Sequence, residues 1–114
     1  MSAAETVIVM NGAQLIGHDG FHETFANTFG FPDFYGRNMD AWIDCMSYLD
    51  EPEAGMSKVS VQPGQVVTLR IDDYSHLKEQ APKQWLDLLE AAAFVNWRRT
   101  EDGRGAILAL AFYG

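Results

Sequence analysis

The sequence predicts a small α/β domain in which helices pack on a mostly parallel three-stranded sheet. Three apolar runs, at 6–10, 66–71 and 106–112, have the length and composition of buried strands. The stretches between them show helical spacing of apolar residues, and strands that alternate with helices favour a parallel sheet. The chain has 114 residues, so we expect residues 1–114 to form a single domain.

The first predicted strand, at 6–10, is apolar on both faces and is therefore expected to be buried on both sides. Asp19 is expected to cap the first helix, which carries one aromatic residue per turn and ends at Gly30. These aromatic residues are Phe21, Phe25 and Phe29. His18 and His22 have a spacing that can bind zinc on a helix. Because the predicted cap leaves His18 outside the helix and no third ligand is evident, no metal site is predicted.

A second helix is predicted directly after the loop at 31–38, with Asn38 as its N-cap. Apolar residues recur at helical spacing along its buried side. They are Met39, Trp42, Ile43, Met46 and Leu49. Asp40 and Asp44, one turn apart, lie on the opposite side and repel each other by about 0.2–0.5 kcal/mol. The pair is either an ordinary solvated face or, with the aromatic loop before it, a binding edge.

The segment after this helix contains few regular elements. Residues 50–55 interrupt the secondary structure, and residues 59–61 alternate in polarity. The stretch 56–65 is therefore either an extra edge strand or an extended loop. A short helix is expected at 75–79, and a long helix begins at Pro82. The buried side of this long helix is formed by Trp85, Leu88, Leu89, Ala92 and Val95.

Four residues in the second half of the long helix need a separate interpretation. Phe94 and Trp97 fall partly outside the buried side and are expected to pack on a neighbouring element. Arg98 and Arg99 lie near the end of the helix, where positive charge interacts favourably with the helix dipole.

Composition excludes several classes of function. The net charge is −8, which argues against binding nucleic acid or an anionic membrane and fits a basic protein partner. Cys45 is the only cysteine, so no internal disulfide can form, and a half-buried structural thiol is expected. The N-terminus lacks a basic n-region, and no apolar run is long enough to span a membrane. A cytoplasmic protein is expected.

Neither an enzyme nor a cofactor is predicted. The sequence contains no Gly-rich phosphate loop, no paired metal motif and no G-x-S-x-G element. Asp40 and Asp44 resemble a catalytic acid and base only superficially. One turn apart on a helix, they would approach a ligand from one side, whereas the carboxyl groups of a glycosidase flank the scissile bond.

Residues 34–41, which read F-Y-G-R-N-M-D-A, and the following Asp44 and Cys45 closely resemble the barstar family of small intracellular inhibitors of secreted ribonucleases. The order of the predicted strands and helices is also similar to that family. The resemblance implies a barstar-like fold and an inhibitor, or immunity protein, that binds a basic ribonuclease as a monomer, one to one. Its acidic helix would occupy the nuclease pocket as a mimic of phosphate.

The resemblance also implies roles for individual residues. Asp44 matches the acid that family members insert into the nuclease pocket, and Asp40 matches the acid one turn earlier. Phe34 would pack across the partner's site. The other matching positions that line the contact are Gly36, Asn38 and Met39.

Several positions depart from the family's pattern. Ile43 stands at an interfacial aromatic position, Tyr48 replaces a small residue at the rim, and Arg37 stands where an acid is more familiar. Glu90, on the long helix, matches a further contact acid. The stretch 50–65 is longer than its counterpart and can cover or extend the binding edge. The alternative function is a non-inhibitory interaction module that docks the acidic helix on another basic protein.

Overall fold

The computed structural model describes residues 6–114. Three strands, β1 (Thr6–Asn11), β2 (Val67–Asp72) and β3 (Leu108–Tyr113), form one sheet in the order β1-β2-β3. Both strand pairs are parallel, and the first residues of the three strands lie side by side. The prediction of an α/β fold with a three-stranded parallel sheet is confirmed.

Four α-helices connect or flank these strands, and two short 3-10 helices lie between them. The α-helices are α1 (His18–Phe29), α2 (Met39–Ser47), α3 (Tyr74–Gln80) and α4 (Pro82–Glu101). The 3-10 helices are Gly12–Leu15 and Pro52–Ala54. The short helix before the long one and the start of α4 at Pro82 agree with the sequence-based prediction.

One face of the sheet packs against the core, and the other is largely open to solvent. The inward side chains of the central strand are fully buried, and those between them are partly exposed. On the edge strand β1, Val7 is 42% and Val9 is 54% exposed. The expectation that 6–10 is buried on both faces was therefore wrong, because β1 contributes only alternate side chains to the core. The inward residues of β2 are Val67, Leu69 and Ile71.

The core between α1 and α2 is aromatic. Phe21, Phe25 and Phe29 of α1, which the sequence places one per turn, are buried. Trp42 of α2 is fully buried and meets the Phe25 ring edge-on, with the ring centroids 5.5 Å apart. Because Trp42 is enclosed by α1, the opposite side of α2, which carries the two aspartates, is turned toward solvent.

The start of α1 differs from the prediction. Gly17, with φ of 87°, is the N-cap residue, His18 is the first helical residue, and Asp19 lies in the first turn. The Gln84 side chain holds this end against α4, because it accepts from the Gly17 N–H at 2.7 Å and donates to the Gly17 carbonyl at 2.8 Å. The placement of His18 outside the helix was wrong, since glycine takes up the positive φ without strain.

Residues 59–61 form an extended loop and not a strand. The Phe29 carbonyl accepts a hydrogen bond from the Lys58 N–H at 2.8 Å, and the Leu49 carbonyl accepts one from the Val61 N–H at 2.9 Å. These bonds attach the segment to the last residue of α1 and to the chain just after α2, so its backbone does not pair with the sheet. The extra edge strand considered for this stretch does not form.

The aromatic residues in the second half of α4 are exposed. Phe94 is 44% and Trp97 is 57% exposed, so the expectation that they pack on a neighbouring element was wrong. Phe94 lines a groove between α4 and α2, and no described element covers either ring fully.

Arg99 is buried. The sequence suggested only a favourable interaction of its charge with the helix dipole, and not a buried ion pair. Its guanidinium donates to both oxygens of Asp50, at 3.1 and 2.7 Å, and to the Ser47 carbonyl at 2.7 Å. Burial opposes ionisation of Asp50, but the hydrogen bond and charge of Arg99 and the charge of Arg104 hold the pKa of Asp50 below its ordinary value. The end of α4 is thereby fastened to the end of α2.

Arg99→Ala is expected to lower the free energy of unfolding by about 3–5 kcal/mol, because it leaves the Asp50 carboxylate without its main counter-ion. Urea denaturation at neutral pH measures the loss. Lys83→Ala is the control, since the exposed Lys83–Asp87 pair at 2.9 Å contributes less than about 1 kcal/mol. Equal losses in the two variants would contradict the role given to Arg99.

Candidate functional site

The start of α2 is fixed by Asn38, as the sequence predicted. The Asn38 side-chain oxygen accepts from the Ala41 N–H at 2.8 Å, and its amide group donates to the Gly36 carbonyl at 3.3 Å. One side chain therefore caps the helix and shapes the loop before it. A Cβ added to Gly36 would lie 3.2 Å from the Asn38 amide nitrogen, so this turn has little space for a larger residue.

Two histidines of α1 contact the loop that precedes α2. His22 is buried, and its Nδ1 lies 2.5 Å from the Tyr35 hydroxyl. His18 Nε2 lies 2.8 Å from the carbonyl oxygen of Arg37, whose φ of 52° is in the left-handed region. With the Tyr35 side chain turned inward, the neighbouring Phe34 projects outward and is 77% exposed.

The His22–Tyr35 contact joins two neutral groups. Burial, together with the positive charges of His18 and Arg37, lowers the pKa of His22 from 6.5 to about 4. Burial also raises the pKa of Tyr35 well above its ordinary value. The hydroxyl therefore keeps its proton and can donate a hydrogen bond to the neutral imidazole at neutral pH.

Asp40 and Asp44 are both exposed on the outer side of α2, but their surroundings differ. Both terminal nitrogens of Arg98 lie 3.4 Å from Asp44 Oδ1, and one of them donates to the Ser47 hydroxyl at 2.6 Å. Asp44 is thus paired within its own chain. For Asp40, no salt-bridge partner exists among residues 6–114.

Cys45, next to Asp44, is buried and has no disulfide partner. Burial, with a contribution from the Asp44 charge, raises the pKa of its thiol to about 11. The thiol stays protonated at neutral pH and is a poor nucleophile. This agrees with the structural role predicted for it, with deeper burial than expected.

Five of the predicted contact residues surround one concavity of about 350 Å³ at the junction of loop and helix. The concavity is also lined by Met56, from the long segment that follows α2. That segment therefore reaches the edge of the site, as the sequence suggested it could. The five residues are Phe34, Gly36, Asn38, Asp40 and Asp44.

Three further predicted residues lie on the other side of Asp40, in a groove of about 490 Å³ between α2 and α4. They are Met39, Ile43 and Glu90. Asp40 lines both depressions and forms the ridge between them. Tyr48 lines neither, and its ring lies 5.6 Å from the Arg104 guanidinium. Eight of the nine predicted residues thus form one continuous surface, and Tyr48 lies at the end of α2.

A comparison with protein families identifies a matching family. A family model described as Barstar (barnase inhibitor) matches residues 5–109 of the 114-residue chain. The chain belongs to the barstar family. The resemblance inferred from the loop and the acidic helix is thereby confirmed. No curated protein matches the chain.

Barstar family members are inhibitors that bind ribonucleases as protein partners, which fits the prediction of a non-enzymatic chain. Two structural findings bear on other functions. No helix among residues 6–114 is both long and apolar enough to cross a membrane. Over the same range, no group of three or more potential metal ligands is found around the two histidines of α1 or elsewhere.

Sequence reasoning missed three residues of this candidate site. Arg98 pairs with Asp44 across 54 positions of sequence, and Met56 comes from a stretch with no regular pattern. The sequence points to His22 only through its spacing from His18, which is that of a metal-binding pair, whereas the structure buries it beside the phenylalanines of α1. Only His22 left a signal in the sequence, which was that spacing.

The free energy of unfolding is expected to fall by about 1–2 kcal/mol between pH 7 and pH 5. The folded state keeps His22 neutral down to a pKa of about 4, whereas the unfolded state takes up a proton near 6.5. The stabilising contribution is therefore complete above pH 6.5 and is lost as the pH falls toward 4. Urea denaturation at the two pH values measures it.

His22→Gln is the matched variant, because glutamine can bond Tyr35 but does not titrate. It is expected to remove most of the difference between pH 7 and pH 5. If the variant kept the full pH dependence, His22 would not be its source.

Proposed function

We propose that this chain inhibits a basic ribonuclease by inserting the acidic side of α2 into the nuclease active site. One observation carries the proposal: Asp40 and Asp44 are both exposed on α2 and share a concavity with the projecting ring of Phe34, in a member of the barstar family. We further propose that it acts in the cytoplasm as a monomer that binds its partner one to one.

The electrostatic basis is complementarity between carboxylates and a phosphate-binding pocket. A ribonuclease concentrates positive side chains around the scissile phosphate, and their field attracts any anion of suitable shape. Two carboxylates one turn apart on a helix place negative charge where the phosphate would bind. They can accept charge-assisted hydrogen bonds from arginine side chains, which are about twice as strong as neutral ones.

The loop contributes rigidity and an aromatic contact. Tyr35, held by His22, and Asn38, which caps α2, fix the backbone that follows Phe34. A preorganised loop loses little conformational entropy on binding, so more of the interaction energy appears as affinity. The exposed Phe34 ring can then pack over the partner's substrate-binding surface.

To bind a nuclease side chain, Asp44 must give up its contact with Arg98 of the same chain. The Arg98–Asp44 pair has long contacts of 3.4 Å and lies at the surface, so it stabilises the free protein only weakly. A guanidinium from a nuclease pocket would meet the same carboxylate in a drier environment and with shorter bonds. Exchange is therefore favourable, but Arg98 reduces the attraction that a basic partner feels at a distance.

The first experiment is a pull-down in which the baits are the wild-type chain and the Asp40→Ala, Asp44→Ala double variant. The prey are purified barnase and the secreted proteins of the source organism. The wild-type bait is expected to retain a basic ribonuclease and to suppress its cleavage of RNA. The double variant is expected to do neither. By calorimetry, Asp44→Ala is expected to weaken binding by about 2–5 kcal/mol.

Glu79→Ala, which removes an exposed carboxylate from α3, controls for net charge alone. The wild-type bait could instead retain a basic protein that is not a nuclease, and the double variant could fail to retain it. That result would support the alternative function, in which α2 is the docking surface of an interaction module. Equal capture by both baits would show that the acidic pair is only a solvated face.

Arg98→Gln is expected to raise the association rate with that ribonuclease by about two- to fivefold at low ionic strength, because it removes a positive charge beside Asp44. Stopped-flow fluorescence measures the rate. Lys78→Gln removes an equivalent charge from the exposed surface of α3 and is the control. Slower association in Arg98→Gln would indicate that Arg98 pairs with an acid of the partner.

A further inference from the structure

A cavity of about 290 Å³ lies where α1, the start of α2 and α4 meet. Neither aspartate of the acidic pair lines it, and of the residues that the sequence assigned to partner contact it includes only Asn38 and Met39. The cavity is therefore distinct from the concavity beside Phe34. Its other lining residues, which come from α1 and α4, are His18, Phe21, His22, Lys83, Gln84 and Asp87.

His22 brings a polar atom without a partner to this cavity. The residue is only 4% exposed, and its Nδ1 lies 2.5 Å from the Tyr35 hydroxyl. Its second ring nitrogen, Nε2, forms no hydrogen bond within residues 6–114. Over that range, Trp42 Nε1 is the one fully enclosed side-chain nitrogen or oxygen that lacks a partner, so His22 Nε2 is not fully enclosed. Its open side faces the cavity that the ring lines.

The proton of the neutral His22 ring lies on Nε2. A neutral imidazole carries one proton, and the Tyr35 hydroxyl donates to Nδ1. Burial is the main cause that lowers the pKa of His22 to about 4, so the ring is neutral at neutral pH. Nε2 is thus a hydrogen-bond donor inside the cavity. A buried donor without a partner costs free energy, which a ligand with a suitable acceptor recovers.

The other uncharged polar groups of the lining are already bonded within the chain. The Gln84 amide bonds both the N–H and the carbonyl of Gly17. His18 Nε2 lies 2.8 Å from the Arg37 carbonyl oxygen, and the Asn38 side chain caps α2. The cavity therefore offers a ligand one directed donor.

The charges and the size of the cavity restrict the ligand further. Lys83 and Asp87 neutralise each other at 2.9 Å, and most of the remaining lining is apolar, with contributions from Phe21 and Met39. Surroundings that disfavour an imidazolium at His22 also disfavour a charged ligand beside it. A protein cavity of about 150 Å³ can hold benzene, so this one has room for one ring with a small substituent.

We propose that this cavity binds a neutral single-ring aromatic molecule, which presents an amide carbonyl or a ring nitrogen to His22 Nε2. This inference goes beyond the proposed function and does not depend on it. The ring packs against Phe21, as aromatic pairs do, and against Met39, whose thioether makes favourable contacts with aromatic rings.

A ligand at Nε2 also acts on the loop that precedes α2. An acceptor that draws the Nε2 proton makes Nδ1 a stronger acceptor, because linked hydrogen bonds polarise one another. The bond from the Tyr35 hydroxyl to Nδ1 is strengthened as a result. Occupation of the cavity is therefore expected to stabilise the folded chain.

The test is an NMR titration of the whole ¹⁵N-labelled chain with nicotinamide, which is neutral and carries both kinds of acceptor. The free chain is expected to show His22 with its proton on Nε2. Nicotinamide is expected to shift that nitrogen and the Met39 methyl group, with a Kd of about 1 mM or below, which about nine non-hydrogen atoms can provide. Nicotinate has the same shape but a negative charge, and is expected to bind about tenfold more weakly.

His22→Phe keeps an aromatic ring but removes the donor, and is expected to weaken nicotinamide binding by about tenfold. His76→Phe is the matched control, because His76 is a half-exposed histidine on α3 that does not line the cavity. It is expected to bind like the wild type. Equal losses in the two variants would overturn the inference.

The measurements on the wild-type chain decide the inference even if His22→Phe does not fold. It is overturned if nicotinamide gives no saturable shift up to about 20 mM. Shifts confined to residues outside the cavity, a proton found on Nδ1 of His22, or nicotinate that binds as tightly as nicotinamide would also overturn it. No ribonuclease is present in this test, so its failure leaves the proposed function untouched.

Discussion

The buried guanidinium of Arg99 determines how α2 and α4 lie against each other. It donates to the carboxylate of Asp50, to the last carbonyl of α2 at Ser47, and to the Gly105 carbonyl that precedes β3. Burying a charge is costly, and the cost is offset only where the geometry satisfies most of its donors. Here the donors are satisfied from three segments, so the ion pair specifies one arrangement of the two helices.

This arrangement positions the end of α2 within the candidate site. Arg99 contacts α2 from the inside, while its neighbour Arg98 contacts Asp44 and the Ser47 hydroxyl from the outside. The start of α2 is held separately, by the Asn38 cap and by Trp42 against the aromatic side of α1. The two aspartates therefore project from a helix that is fixed at both ends. Their spacing does not have to be established on binding.

The sequence predicted local features well and long-range side-chain contacts poorly. The strands, the Asn38 cap and the acidic side of α2 depend on residues a few positions apart, so periodicity and capping rules identify them. Arg98 and Arg99 meet partners about fifty positions away, which no local pattern encodes. Periodicity also shows which side of a helix is apolar, but not how far neighbouring elements extend. α4 has 20 residues and α2 only nine, so α2 spans less than half of the length of α4.

The positive charges around the acidic pair limit which partners can bind. Arg37 stands at the loop beside Phe34, and Arg98 is bound to Asp44 itself. An interface gains specificity from repulsive elements as well as attractive ones, because they penalise partners with the wrong charge pattern. A partner whose contact surface carries only positive charge would bind more weakly, because both arginines repel it. Asp40 forms no salt bridge within residues 6–114, so a partner cation placed at Asp40 would meet no competing arginine. Under the proposed function, the affinity of this chain would therefore depend on the arrangement of charge on its partner more than on the total charge.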